Sequence, residues 1–177
     1  MPFNAKAVAN EFLRLAESEK RPLTPMALIK LVYFAHGWYL ALKGEPLLNE
    51  QVEAWKYGPV IPSLYHEFKE FGNEAITRLA HDERTFRENG KFIIGRTTPE
   101  LEDDDAKKVV RRVWDVYKPL SAVQLSNLTH TPGSPWDTTP NKEIKGTDIS
   151  NETIRQYFLV LARQNAARRH QNEQQPA

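Results

Sequence analysis

One helix-like stretch, LTPMALIKLVYFAHGWYLALKG, limits more than any other feature how this chain can fold. Thr24 can cap a helix that has Pro25 at its first position, and Gly44 is a typical helix stop. These signals predict a helix over about 24–43. Its side chains are apolar around most of the circumference, so the rest of the chain has to cover it on nearly every side. We therefore expect this helix at the centre of the domain.

The flanking segments predict a domain of the α+β class that is mostly α and compact around the central helix. Apolar spacing and capping signals predict further helices near Ala5–Ala16, Pro62–Phe71, Val109–Tyr117, Ser121–Leu128 and Ile154–Leu161. The start of the fourth is marked by Ser121 and Gln124, which have the spacing of a capping box. Each of these helices offers an apolar face that can cover the central helix.

A β-hairpin is predicted around Asn89-Gly90, because this dipeptide between two β-like arms is a strong turn signal. The arms cover about 84–97. A short strand predicted at about 51–55 completes a small antiparallel sheet with them, and YGPVIP after that strand is predicted as a rigid turn.

Length and patterning indicate one domain, since 177 residues suffice for a single core. We expect the domain over residues 5–162, with Trp38, Trp114 and Phe158 in its core. The apolar stripe of the last helix then stops, so residues 163–177 are predicted to form a frayed or disordered tail.

Composition narrows the class of protein. Lys and Arg total 24 against 23 Asp and Glu, so the chain has no strong net positive charge that would attract it to a polyanion such as a nucleic acid. The absence of cysteine removes disulfides, thiolate nucleophiles and zinc–thiolate sites. Neither a secretory signal nor an apolar run of about 20 residues is present, so a cytoplasmic protein without membrane contact is expected.

The sequence lacks the usual motifs of catalysis. Its five histidines show no metal-ligand spacing, its glycines form no phosphate-binding loop, and no GxSxG motif occurs. We therefore predict no catalytic, cofactor-binding or metal-binding residues, and no enzyme. The alternative left open is a small cleft enzyme, in which Glu53 and His66, with Glu67, would act as general acid and base.

A second alternative is a nucleic-acid-binding regulator. Arg155, Arg163, Arg168, Arg169 and His170 give the C-terminal helix a basic end. Such an end more often completes the helix dipole and keeps the chain soluble. With a near-neutral net charge and no reading motif, nucleic acid is not the expected partner.

The stretch EAWKYGPVIPSLYHEF combines large aromatics with two prolines and a glycine. Proline removes backbone freedom, and glycine lets another segment approach closely. The stretch therefore predicts a stiff aromatic corner, which suits either a core or a binding surface.

Three segments together resemble one known family. They are KLVYFAHGWYLALKGEPLLNEQVEAWKYGPVIPSLYHEF, LSAVQLSNLTHTPGSPW and IRQYF, and in this order they resemble the Panacea domain, the SocA-like antitoxin family that includes phage GepA-type proteins. The resemblance extends from about residue 5 to 160. It implies a bacterial or phage-borne antitoxin that binds a cognate protein toxin, generally encoded beside it. Some SocA-like members pass the toxin to the ClpXP protease as adapters.

Contact with such a partner is expected at the aromatic corner, the loop at 132–136 and exposed positions of the hairpin Arg84–Thr97. The predicted partner-binding residues are Trp55, Lys56, Tyr57, Pro59, Tyr65, Pro132 and Trp136. The resemblance leaves open the identity of the toxin, the choice between occlusion and degradation, and the oligomeric state.

Overall fold

The computed structural model describes residues 1–142, 144 and 146–173, and its elements are mainly helical. In chain order they are α1 (Ala5–Ser18), α2 (Pro25–Lys43), β1 (Val52–Trp55), β2 (Gly58–Val60), α3 (Pro62–Phe68) with a 3-10 turn after it (Lys69–Phe71), β3 (Asp82–Glu88), β4 (Lys91–Thr97), α4 (Asp104–Tyr117), α5 (Ala122–Thr129), α6 (Pro135–Thr138), β5 (Asp148–Ile149) and α7 (Asn151–Glu173). The α+β, mostly α class is confirmed. None of the helices in these residues combines the length and apolarity that crossing a bilayer takes.

The central helix α2 is buried along most of its length. Fourteen of its 19 residues are buried, and α1, α3, α4, α5 and α7 all pack against it. Its ends form as the sequence predicted: the Thr24 side chain accepts a hydrogen bond from the Ala27 N–H, and Gly44 ends the helix with φ 75°. The prediction of a buried central helix is confirmed.

Phe158 of α7 packs directly on the backbone of α2 at Gly37. The phenyl ring is fully buried and contacts the rings of Tyr33, Phe34 and Trp38. A Cβ on Gly37 would overlap this ring, so the glycine allows α7 to approach α2 closely. Among the predicted core residues, Phe158 and Trp114 are fully buried, whereas Trp38 is only partly buried.

The β-strands form two separate sheets. β1 lies between β2 and β5 in a three-stranded antiparallel sheet, and β3 pairs with β4 alone. The hairpin prediction is confirmed, with Asn89 and Gly90 both at positive φ, but the prediction that β1 joins the hairpin is wrong. Both edges of β1 are already occupied, one of them by Gly58–Val60, which forms a strand rather than only a turn.

The last helix continues further than the sequence predicted. α7 extends to Glu173, so the frayed tail expected from residue 163 is helical over 163–173, and residues 174–177 lie outside the described residues. The segment ARQNAARR lacks an apolar stripe but consists mainly of residues with high intrinsic helix propensity. Propensity therefore extends a helix that tertiary packing has already nucleated.

His36 is a buried polar side chain that joins α2 to two distant segments. Its Nδ1 accepts a hydrogen bond from the Leu48 N–H at 3.3 Å, so the ring proton lies on Nε2, which donates to Asn151 Oδ1 at 2.9 Å. Burial lowers the pKa of His36 to about 4. The ring is therefore neutral at neutral pH.

Replacing Gly37 by Ala should destabilise the protein. In an ordinary helix interior this change stabilises by about 0.5–1 kcal/mol. Here the new methyl group displaces the Phe158 ring, and we expect a net loss of about 1–3 kcal/mol in the free energy of unfolding, measured by urea denaturation. In a Phe158→Leu background the same change should cost less, because the smaller side chain leaves room. A stabilised Gly37→Ala single variant would contradict the packing described.

Acid should destabilise the protein through His36. The folded-state pKa lies below the unfolded value, so the stability is fully present above about pH 6.5 and is lost as the pH falls towards 4. Relative to His36→Gln, the wild type should lose about 2–3 kcal/mol of unfolding free energy between pH 6.5 and 4.5. His66→Gln, at an exposed position, is the matched control and should follow the wild-type pH profile. Parallel profiles for wild type and His36→Gln would exclude this role.

Candidate partner-binding site

The aromatic corner consists of the turn that joins β1 to β2, with Lys56 and Tyr57 at its tip, and of the neighbouring rings of Trp55, Tyr65 and Trp136. Trp55 pairs with Gly58 across the antiparallel ladder, so Lys56 and Tyr57 form the tip of a tight connection. The Tyr57 side chain is 63% exposed and the Tyr65 side chain 39% exposed. Large apolar area is therefore presented to solvent on a short, closed turn.

Gly58 allows this turn to pack closely on the protein beneath it. It has φ 97°, a left-handed conformation that L side chains rarely adopt. A Cβ at this position would lie 2.6 Å from Lys30 Nζ and 2.7 Å from Thr129 Oγ1. Both the backbone conformation and the available space therefore require glycine.

Lys30 fastens the turn to the central helix from below. This side chain of α2 is buried, and its Nζ donates hydrogen bonds to the Tyr57 carbonyl at 2.7 Å and the Pro59 carbonyl at 3.0 Å. Burial lowers the pKa of Lys30 to about 7. Pro59 is buried as well, so it supports the corner and presents no surface of its own.

Trp136 of α6 closes the corner from the side. Its indole N–H donates to the Trp55 carbonyl at 2.7 Å, although the two residues are 81 positions apart. Its ring lies 4.2 Å from the His130 ring, and Lys142 Nζ lies 4.2 Å from the Trp136 ring centroid. Pro132, in the loop before α6, is exposed.

Trp55 connects the corner to α3 and to the rest of β1. Its ring makes an edge contact with Tyr65 at 4.8 Å between centroids. Its indole N–H donates to Glu53 Oε2 at 2.7 Å, so this carboxylate orients the aromatic ring.

The predicted partner-binding residues thus fall into three groups. The first group contains the rings that the fold brings together at the corner: Trp55, Tyr65 and Trp136. The second group is exposed and contains Lys56, Tyr57 and Pro132. The third is Pro59, which is buried. Sequence reasoning missed Lys30 as the supporting residue. Its signal was a lone lysine between Ile29 and Leu31 in an otherwise apolar part of the helix.

The hairpin β3–β4 is a second exposed apolar surface. Phe86 and Ile93 are cross-strand partners on one face, while Phe92 and Ile94 lie on the other. All four are exposed, the Phe92 side chain by 77%. A two-stranded hairpin has no second sheet or helix that would bury both faces.

Of the three residues considered for cleft catalysis, only His66 and Glu67 line the same cleft. His66 lines a polar cleft of about 770 Å³ with Lys6, Glu67 and Arg78, whereas Glu53 is not among the residues that line it. Burial alone raises the pKa of Glu67, but its hydrogen bonds and ion pairs with Lys6 and Arg78 bring it below the ordinary value. Glu67 is therefore an ionised, paired carboxylate, unlike a poised general base.

No group of three or more His, Asp or Glu side chains within the described part of the chain is placed to hold a metal ion. The aromatic rings on the braced turn therefore remain the candidate site.

The chain is similar to one known protein family and to a known antitoxin. The model of the family described as "Antitoxin SocA-like, Panacea domain" matches residues 28–137, a segment that begins in α2 and ends in α6. Antitoxin SocA of Caulobacter vibrioides (strain NA1000 / CB15N) is 39% identical over 138 residues, which cover 78% of this chain and 71% of that protein. No solved structure matches the chain.

The family match contains every residue of the aromatic corner and the lysine beneath it, and the identity to SocA extends over most of both proteins. The chain therefore belongs to the SocA-like antitoxin family that is defined by the Panacea domain.

Proposed function

We propose that this protein is a cytoplasmic antitoxin that neutralises a cognate protein toxin, encoded beside it, by direct binding through the aromatic corner. Membership of the SocA-like family supports the antitoxin role. The corner supplies the kind of surface that direct binding requires. The proposal assigns the protein a contact function and no catalytic one.

The bracing of the corner is the observation that carries the proposal. Tyr57 exposes most of its surface, yet its own carbonyl is fixed by the buried Lys30 amine. The neighbouring Trp55 carbonyl is fixed by Trp136. Aromatic side chains on a fixed backbone bind with little further loss of conformational entropy, which is how interface hot spots gain affinity.

In the proposed interface, the contacting residues are Trp55, Lys56, Tyr57, Tyr65, Pro132 and Trp136. Pro59 acts from beneath, through the carbonyl that Lys30 holds. We also propose that the toxin contacts the exposed side chains of β3 and β4. Lys56 adds a positive charge to the same exposed turn. Its Nζ lies 5.3 Å from the Tyr57 ring centroid.

Two outcomes of toxin binding fit this surface. The antitoxin either covers the functional site of the toxin or passes the bound toxin to a protease such as ClpXP. Both begin with the same contact, and they differ in the fate of the toxin. Toxin that persists in a stable complex indicates occlusion, and toxin that disappears only in cells with ClpXP indicates degradation.

Tyr57→Ala should weaken neutralisation without unfolding the protein. We expect cells that express the adjacent gene alone to stop growing, cells that also express the wild type to recover, and cells with Tyr57→Ala to recover poorly. Loss of one exposed hot-spot aromatic weakens a complex by about 30-fold. Growth curves and an affinity pull-down of the pair measure both effects.

Val160→Ala is the matched control, because this α7 side chain is 47% exposed and does not belong to the corner. The control should rescue growth like the wild type. An adjacent gene that is harmless alone, or a Tyr57→Ala variant that binds and rescues fully, would refute the proposal.

Gly58→Ala should weaken the same complex without removing any contacting side chain. The added methyl group collides with the Lys30 amine and the Thr129 hydroxyl, and the residue must keep φ near 97°. We expect a loss of about 1–3 kcal/mol in the free energy of unfolding. Toxin affinity should fall with it at temperatures where the variant remains folded, as monitored by circular dichroism. Unchanged affinity would show that the braced shape of the turn is not needed.

A further inference from the structure

A groove opens at the other end of the central helix, between α4 and α7. Both helices pack against α2, but they have few contacts with each other. The space between them is a groove of about 560 Å³ with α2 at its base. It is therefore walled by helices on three sides and open on the fourth.

The floor of the groove is apolar and exposed. Leu42 of α2 is 68% exposed and Val116 of α4 is 52% exposed, and both line the groove beside the Trp38 ring. On the α7 side the lining consists of the small side chains Ala162 and Ala166. Small side chains on one wall leave room for the large side chains of an occupant.

The rim of the groove is positively charged. Lys108, Arg112 and Arg169 line it, and no Asp or Glu does so within the described residues. Lys108 pairs with Asp105 at 3.0 Å, whereas Arg112 and Arg169 have no ion-pair partner among the described side chains, which do not include those of residues 170, 172 and 173. An occupant with negative charge on its outer face would therefore complement the rim.

The shape of the groove favours a helix as its occupant. The lining residues span Lys108–Tyr117 on α4 and Ala162–Arg169 on α7, which correspond to about 14 Å and about 10 Å of helix. That length accommodates two to three helical turns. A helix laid between two others on a third completes an arrangement like a four-helix bundle.

We propose that this groove binds an acidic amphipathic helix of a partner protein, with the apolar face of that helix on Leu42 and Val116 and its carboxylates on Arg112 and Arg169. Helix-in-groove recognition reads apolar anchors at i, i+3, i+4 and i+7, which the two walls can receive from one face. The cations at the rim then set the orientation of the helix.

The groove is separate from the aromatic corner. Lys30, which holds the corner, and Leu42, at the base of the groove, are twelve residues apart on α2, or about 18 Å along the helix axis. The proposal does not depend on the antitoxin role. Its test uses the purified protein and no toxin, so either proposal can fail alone.

The test titrates the isotope-labelled protein with a synthetic amphipathic peptide and follows the backbone amides by NMR. The peptide has about 16 residues, with leucines at i, i+3, i+4 and i+7 and glutamates on the opposite face. Amides around Leu42, Val116 and Ala166 should shift. A peptide with lysines in place of the glutamates should bind at least about tenfold more weakly, and added salt should narrow the difference.

Two matched pairs of variants locate the interaction. Arg112→Glu combined with Arg169→Glu should weaken the acidic peptide about tenfold, whereas Arg111→Glu combined with Arg168→Glu changes the net charge equally outside the groove and should leave affinity within about twofold. Val116→Asp should abolish binding. Val160→Asp, at a similarly exposed position on α7 that does not line the groove, should not.

Several results would overturn the proposal. Equal binding of the acidic and basic peptides would remove the role of the rim, and shifts confined to the hairpin would move the site elsewhere. A short DNA duplex that shifts these amides when the acidic peptide does not would identify a nucleic-acid surface instead. A dimer in sedimentation that Val116→Asp dissociates would show that a second copy covers the groove.

Discussion

The desolvation of α2 is the constraint on which the rest of the structure depends. A helix that is apolar nearly all round is stable only when other elements cover it, and five helices do so here. Its few buried polar groups must then find partners, because an unpaired polar group in a core is costly. Lys30 finds two carbonyls of the β1–β2 turn, and His36 finds Leu48 and Asn151. The central helix thus fixes where the small sheet and the start of α7 lie.

Local signals predicted the parts of the fold that local interactions decide. The caps of α2, the capping box of Ser121 and Gln124, and the Asn89-Gly90 hairpin are all present. The strand β2 escaped prediction because its glycine and proline are typical of a turn, and only its pairing with β1 makes it a strand. The end of α7 escaped prediction for the opposite reason, since its helical propensity is not accompanied by any apolar stripe.

In the candidate site, too, local sequence predicts some features and tertiary contacts decide the others. The aromatic residues could be found from sequence because Trp55, Tyr57 and Tyr65 lie close together in the chain and form one dense cluster. The contacts that brace them could not be found, although Trp136 itself was predicted to bind the partner, because Lys30 and Trp136 reach the corner only through the tertiary fold. A lysine in an apolar helix indicates that some acceptor must bind its amine. The neighbouring residues in the sequence do not reveal which acceptor that is. The exposed aromatic residues of the site are thus mostly close together in the sequence, whereas the contacts that make the site rigid come from distant segments.

The two surfaces proposed for this protein differ in how they relate to the family. The family match ends at residue 137, so it contains the whole aromatic corner and the α2 and α4 walls of the groove, but not the α7 wall. The corner is rigid because Lys30, Gly58 and Trp136 fix its backbone, which suits a contact made in one geometry. The groove is completed by a helix whose last turns depend mainly on propensity, so its wall can change in sequence without disturbing the core. On these proposals the corner belongs to the shared scaffold of the family, and the α7 wall is where the chain can adapt to a partner of its own.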